Sequence, residues 1–145
     1  MKYTLLLDKT KEESVVVTAH APSRLTEELE NLVLSYAGTD RISAFTEDET
    51  VFLPFGDISS VTVIDRKTYA VAKDGKRYRL RATLTEVAEV LPTYFIRLNK
   101  STFANQNHIV RFVATFSGAV DAVFSSGVRE YVSRRCFAEI KRRFS

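Results

Sequence analysis

The chain of 145 residues has no tryptophan, one methionine, one cysteine, two histidines, three prolines and five glycines. The lone Cys136 excludes an internal disulfide framework, and with only His20 and His108 beside it no ligand spacing for zinc exists. It reads as a small packing residue. The glycines are scattered through turns and build no phosphate-cradling loop of the Walker or dinucleotide kind. No apolar run approaches the roughly 20 residues that span a bilayer, and no continuous signal-peptide core precedes Asp8. A cytoplasmic protein is therefore expected. No nucleophile stands in a context with a positioned base, and Glu47-Asp48-Glu49 reads as a solvated turn rather than a catalytic carboxylate pair. These absences point away from an enzyme and leave no metal or cofactor site.

What is present suits one ordinary domain, or one domain with a small appended unit, since 45% of the residues are apolar. The net charge of +3 hides two opposite halves. Residues 1–57 hold 5 Lys/Arg against 11 Asp/Glu, a net −6, whereas residues 58–145 hold 16 against 7, a net +9. Such asymmetry fits a later part that faces a polyanion, although two solvated surfaces of opposite sign would give the same counts.

Residues 2–7 and 14–20 are rich in apolar and β-branched side chains and flank a polar turn, so they read as a hairpin. After Pro22, Ser23 can cap a helix with Glu27 and Glu28 near its start. Leu25, Leu29, Leu32, Val33 and Tyr36 recur on one face until Gly38 stops it. That apolar stripe needs a cover, either its own hairpin or another subunit. From Arg41 the pattern turns to short strands: residues 50–55, 58–64, 67–73 and 76–82, the last two joined by the hairpin turn Asp74-Gly75. Thr83-Leu84-Thr85-Glu86 has the form of a capping box opening a short helix that Pro92 ends. Extended pieces follow at 95–98, 109–116 and 119–124. The expectation is a mainly β (α+β) protein with three helices at most, an acidic strand–strand–helix extension at 1–39 and a second unit at 40–145.

Ser133 is a natural N-cap, and Val132 with Phe137 stands at the spacing of a hydrophobic staple. A helix beginning at Arg134 is expected, burying Phe137, Ile140 and Phe144. Its first turn carries Arg134 and Arg135, where the helix dipole favours carboxylates and misplaced cations cost up to about 1 kcal/mol each. Free backbone N–H groups plus two guanidiniums make a phosphate site, and arginine can read guanine edges bidentately; the residues alone equally allow both side chains to extend into water. Arg77, Arg79 and Arg81 share one face of a strand and could track a phosphate backbone, but a solvated face is the commoner outcome for that pattern.

Phe95-Ile96-Arg97-Leu98-Asn99-Lys100-Ser101, then Asn105-Gln106-Asn107-His108-Ile109, then Val132-Ser133-Arg134-Arg135, in that order and spacing, resemble the LytTR family of bacterial DNA-binding domains over residues 40–145. The resemblance implies small β-sheets that present loops, rather than a recognition helix, to successive major grooves of double-stranded DNA, with two domains on adjacent repeats. It implies three base-contacting positions. The first falls in Arg66-Lys67-Thr68-Tyr69, at Tyr69 with Lys67 near it; the second on Lys100, flanked by Asn99 and Ser101; the third on Arg135, beside Arg134 and the phosphate-binding hydroxyl of Ser133. Asn105, Asn107 and His108 are expected to tie a turn to backbone groups. The unit before Asp40 is too short for a receiver domain. The chain is thus similar to short regulators in which such an extension dimerises, or holds a small multi-pass membrane protein as inhibitory partner. The rival class is a non-catalytic interaction or sensor module with only nonspecific nucleic-acid affinity; an RNA binder would need a stacking aromatic motif that is missing.

Overall fold

The computed structural model describes residues 1–37 and 40–144, so most of the boundary expected at 38–40 lies outside the described residues. Helix α1 (Arg24–Ala37) is followed by ten strands: β1 (Arg41–Phe45), β2 (Thr50–Pro54), β3 (Ile58–Ile64), β4 (Lys67–Ala72), β5 (Arg77–Leu80), β6 (Phe95–Asn99), β7 (Thr102–Asn105), β8 (Ile109–Ala114), β9 (Val120–Phe124) and β10 (Arg129–Val132). Helix α2 (Leu84–Ala88) lies between β5 and β6, and α3 (Arg134–Arg143) follows β10. Seven strands form one antiparallel sheet in the order β2-β1-β5-β4-β3-β7-β6, and three form a second in the order β10-β9-β8. The mainly β architecture with short helices is as the residues led one to expect.

Each sheet has its own core. Ile58, Val61, Leu80, Val87 and Phe95 are buried on the large sheet, while Leu98, Ala122, Phe124, Val132 and Ile140 are buried where the small sheet meets β6 and α3. Strand β6 serves both, because alternate side chains of a strand leave on opposite faces. Two buried hydroxyls of β3 are paired: Thr62 Oγ1 lies 2.8 Å from Thr102 Oγ1, and Ser59 Oγ lies 2.8 Å from His108 Nδ1. The other His108 nitrogen, Nε2, donates to the Gly56 carbonyl at 2.8 Å, since a carbonyl can only accept. Asn105 Oδ1 accepts the Asn107 N–H at 3.0 Å. The Asn-His motif therefore works structurally, tying the turn after β7 to the large sheet.

The capping box forms as read. Thr83 Oγ1 accepts the Glu86 N–H at 3.2 Å and Glu86 Oε1 accepts the Thr83 N–H at 3.2 Å. With α2 only five residues long, most of its stability comes from these caps and from burial of Leu84 and Val87. Thr83→Ala is expected to cost about 1 kcal/mol in urea denaturation; a cost below about 0.3 kcal/mol would show that burial alone holds the helix.

Two expectations fail. Residues 2–7 and 14–20 form no hairpin: only the intervening turn is built, with Asp8 Oδ1 accepting from the Thr10 N–H at 2.9 Å, and every residue from 1 to 23 is exposed. A two-stranded ribbon is marginal in water unless a third strand or a helix covers it, and none does. Phe144 is 52% exposed rather than buried, because α3 ends at Arg143 and Phe144 leaves the helical conformation at φ −107°, ψ 9°. The arginine ridge is mainly a solvated face, the commoner outcome: Arg77 and Arg81 are exposed and Arg79 half-buried, with the Arg79 guanidinium 6.0 Å from the Tyr69 ring centre and that of Arg81 5.2 Å from the Phe45 ring centre.

Candidate nucleic-acid interface

The interface begins with an irregularity in β6. Arg97 pairs with Phe103 and Asn99 with Thr102, so Leu98 is an extra residue, a β-bulge. The bulge leaves the Leu98 carbonyl free of β7, and it accepts the Ser133 N–H at 2.9 Å. One hydrogen bond thus joins the strand before Lys100 to the residue that caps α3.

Lys100 and Ser101 form the two-residue turn between β6 and β7, and side chains hold its backbone from both sides. Asn99 Oδ1 accepts the Ser101 N–H at 2.8 Å while Asn99 Nδ2 donates to the Tyr131 carbonyl of β10 at 2.8 Å. Arg97 donates from Nε to the Asn99 carbonyl at 3.0 Å and from Nη2 to the Lys100 carbonyl at 2.8 Å, its guanidinium 5.0 Å from the Phe103 ring centre. The Ser101 carbonyl accepts the Val63 N–H at 3.0 Å. Arg97 is spent on positioning; the exposed Lys100 ammonium has no partner among the described residues.

At α3, Ser133 Oγ accepts the Cys136 N–H at 3.2 Å, as its N-cap role requires. The first turn carries no acid. Arg134 and Arg135 are exposed and unpaired among the described residues, whereas Arg142 pairs with Glu139 at 2.5 Å and Lys141 lies 5.0 Å from the Phe137 ring centre. The charges that oppose the helix dipole are therefore the ones left available to a ligand.

These elements enclose a groove of about 910 Å³, whose apolar floor includes Ile96, Cys136 and Ile140 and whose rim carries Asn99, Lys100, Ser101, Ser133 and Arg135. Five of the eight expected site residues thus meet, across 35 positions of sequence, around one concavity. Arg134 faces the opposite side of the α3 start, lining a smaller depression of about 450 Å³ with Gly118 and Lys141. Lys67 and Tyr69 do not join the groove. Lys67 is exposed at the start of β4 and Tyr69 is half-buried opposite Thr62 and Arg79.

The β3–β4 turn does lie at the same end of the sheet, because Val63 binds the Lys100 turn through Ser101. Its tip is Asp65-Arg66, with φ of 50° and 65°. Both are left-handed values suited to a tight hairpin and uncommon for arginine. Arg66 is the basic residue that sequence reasoning passed over as a site, because the turn lacks the Asn-Gly or Asp-Gly signature that marks such a tip. Tyr131, 53% exposed on the groove rim, was also missed; its neighbours Arg129 and Glu130 gave it no distinguishing pattern.

Helix α1 approaches the domain near the start of β6. Glu30 accepts from the Thr93 N–H at 2.6 Å and the Thr93 hydroxyl at 2.5 Å, and Asn31 Oδ1 accepts the Tyr94 hydroxyl at 3.0 Å. Burial pushes the Glu27 carboxyl up, with Glu28 adding to the effect. Burial also pushes the Tyr94 phenol well above the ordinary tyrosine range, reinforced by Glu27 and Glu30. Arg143 of α3 donates to the Thr93 carbonyl, so the same loop contacts both α1 and α3.

Comparison with known proteins identifies the family and the fold. The family model described as the LytTr DNA-binding domain matches residues 48–145. An uncharacterized HTH-type transcriptional regulator of Staphylococcus aureus strain NCTC 8325 is 24% identical over 148 residues, covering 100% of this chain and 99% of its own. Its counterpart in strain COL matches to the same extent. Among solved structures, a LytTr DNA-binding domain from Bacillus cereus superposes with a TM-score of 0.67 at 23% identity, covering 73% of this chain and 97% of its own. The bulged strand, the Lys100 turn and the capped α3 all lie within the matched residues, and the chain belongs to the LytTR family of DNA-binding domains.

Proposed function

We propose that the protein is a cytoplasmic, sequence-specific transcriptional regulator that reads successive major grooves of double-stranded DNA through loops, as a homodimer on repeated sites. The observation that supports this most is the meeting of Lys100 and Arg135 on the rim of one groove, each unpaired among the described residues, each carried by a backbone that other side chains hold in place. Lys100 offers a mobile point charge for guanine O6/N7 or phosphate, and Arg135 a planar fork for guanine. Arg134, on the other side of the helix start, suits a phosphate, as do the Ser101 and Ser133 hydroxyls. The turn with Arg66, Lys67 and, further along β4, Tyr69 supplies the first contact region.

Three helices separated by strands, the second of five residues, leave no helix-turn-helix pair among the described residues, which favours reading by loops. No described helix is long and apolar enough to cross a membrane. Residues 1–39 serve protein contacts, a second copy or a small membrane-bound inhibitor being the partners considered. Selection from a random duplex pool tests the proposal. Two half-sites about one helical turn (10–10.5 base pairs) or a multiple apart are expected; a pool without enrichment would favour an interaction module with merely nonspecific affinity.

A further inference from the structure

The rim of the groove beside the Lys100 turn belongs to the proposed DNA reading; its floor has no part in it. Phosphates and base edges offer a protein charge and hydrogen bonds, and neither needs the apolar surface of Ile96, Cys136 and Ile140 beneath the rim. Helix α3 builds one wall of the groove. Arg135, Glu139 and Arg143 recur along it every four residues and all line the groove, with the half-buried Cys136 and the buried Ile140 one position further round. At 1.5 Å per residue the two arginines stand about 12 Å apart along the helix. The charge around this space has one sign. Arg97, Lys100, Arg135 and Arg143 line it against a single acid, Glu139, which Arg142 neutralises at 2.5 Å. Arg97 and Arg143 donate to backbone carbonyls, which leaves their charge uncompensated.

A volume of about 910 Å³ lies within the roughly 300–1,000 Å³ of small-molecule sites, which pair a mainly apolar lining with a few charged groups that fix orientation. An apolar body with one anionic head answers both features. A wholly polar anion would leave the floor wet, and a cationic amphiphile would meet four like charges. We propose that the groove binds a small amphiphilic carboxylate, its head held by Arg135 and Lys100 and its apolar chain laid over Cys136 and Ile140 towards Arg143. The planar fork of arginine matches a carboxylate bidentately, and Lys100 adds a mobile point charge. The head engages the same two side chains that the DNA reading uses, so carboxylate and DNA exclude one another and the ligand releases the protein from its site. That exclusion rests on the proposed DNA reading; the binding of the carboxylate does not.

Sodium laurate below its micelle concentration is the probe, followed by amide NMR of the full chain without DNA. Saturable shifts are expected at residues 96–101 and 133–143, with a Kd of about 1 mM or tighter. Dodecyltrimethylammonium, with the same chain and the opposite head, should leave these signals in place. Arg135→Ala should raise the laurate Kd at least about threefold. Cys136→Phe, whose ring fills the floor, should raise it at least about tenfold, with Cys136→Met as the smaller filling if the first variant does not fold. Val110→Asp, outside the groove at a residue 58% exposed on β8, should not change it. Laurate at about ten times its Kd should then weaken binding to the duplex from upstream of the gene about tenfold. Absent shifts, shifts confined to residues 1–37, or equal binding of the cationic probe overturn the site. Shifts seen only with phosphatidylglycerol vesicles overturn it in favour of a membrane surface. Laurate bound in the groove beside an undisturbed specific duplex overturns the exclusion. Laurate bound in the groove of a chain without specific DNA affinity upholds the site and removes the DNA reading instead.

Discussion

Replacing Arg135 with alanine is expected to weaken binding to the specific duplex by about 1–3 kcal/mol, roughly 5- to 150-fold, while binding to scrambled duplex changes far less. Arg135 sits one residue into a helix start whose dipole opposes it, it is exposed, and it shares a groove rim with Lys100. Its side chain contributes nothing to the core, so the variant should melt with the wild type and the loss would belong to DNA contact alone. Arg135→Lys keeps the charge and loses the fork, so it should recover only part of the affinity if the contact is bidentate. Equal losses on every duplex, accompanied by a shallower salt slope, would instead assign Arg135 to phosphate.

Leu98→Ala is expected to have the largest effect on stability, about 2–5 kcal/mol in chemical denaturation. Leu98 is wholly buried in the core shared by β6, the small sheet and α3, and its carbonyl holds the Ser133 N–H. A cavity there loosens the packing that places α3 against the Lys100 turn, so the surviving folded fraction should also bind DNA less tightly. Leu98→Met, which conserves volume, should cost under about 1.5 kcal/mol. A cost for Leu98→Ala below about 1 kcal/mol would mean that β6 and α3 are held together by surface contacts and that the bulge is incidental.

Local chemistry was the legible part of the sequence. The Thr83 to Glu86 box and the Ser133 cap each depend on residues within four positions of one another, and each forms as read. The hairpin at Asp74-Gly75 forms too, but as a three-residue loop over 73–75 closed by Ala72 and Lys76, with only Gly75 at positive φ (89°), rather than as the two-residue turn expected. Strands β1, β7 and β10, four or five residues each, were too short to show an alternation of their own. The hairpin at 2–7 and 14–20 had the right composition and lacked a cover, which composition does not encode. The meeting of Lys100 with Arg135 could not be derived from either segment, because it depends on the Leu98 bulge and on the Asn99 bond to Tyr131. Only resemblance to the family pointed to both at once. It placed the first contact at Tyr69, whereas the turn beside Lys100 carries Arg66 at its tip, a conformation that neither propensity nor turn signature announces.

Fluorescence anisotropy of the full chain on the duplex from upstream of its own gene, against a scrambled duplex of equal length and across a salt series, tests the central claim most directly. The account predicts a preference of at least 10³-fold for the specific duplex near physiological salt, with Lys100→Ala and Arg135→Ala each removing about 1–3 kcal/mol of it. Equal, weak and steeply salt-dependent binding to both duplexes, unchanged in the two variants, would contradict it and leave only the attraction of a basic surface to a polyanion.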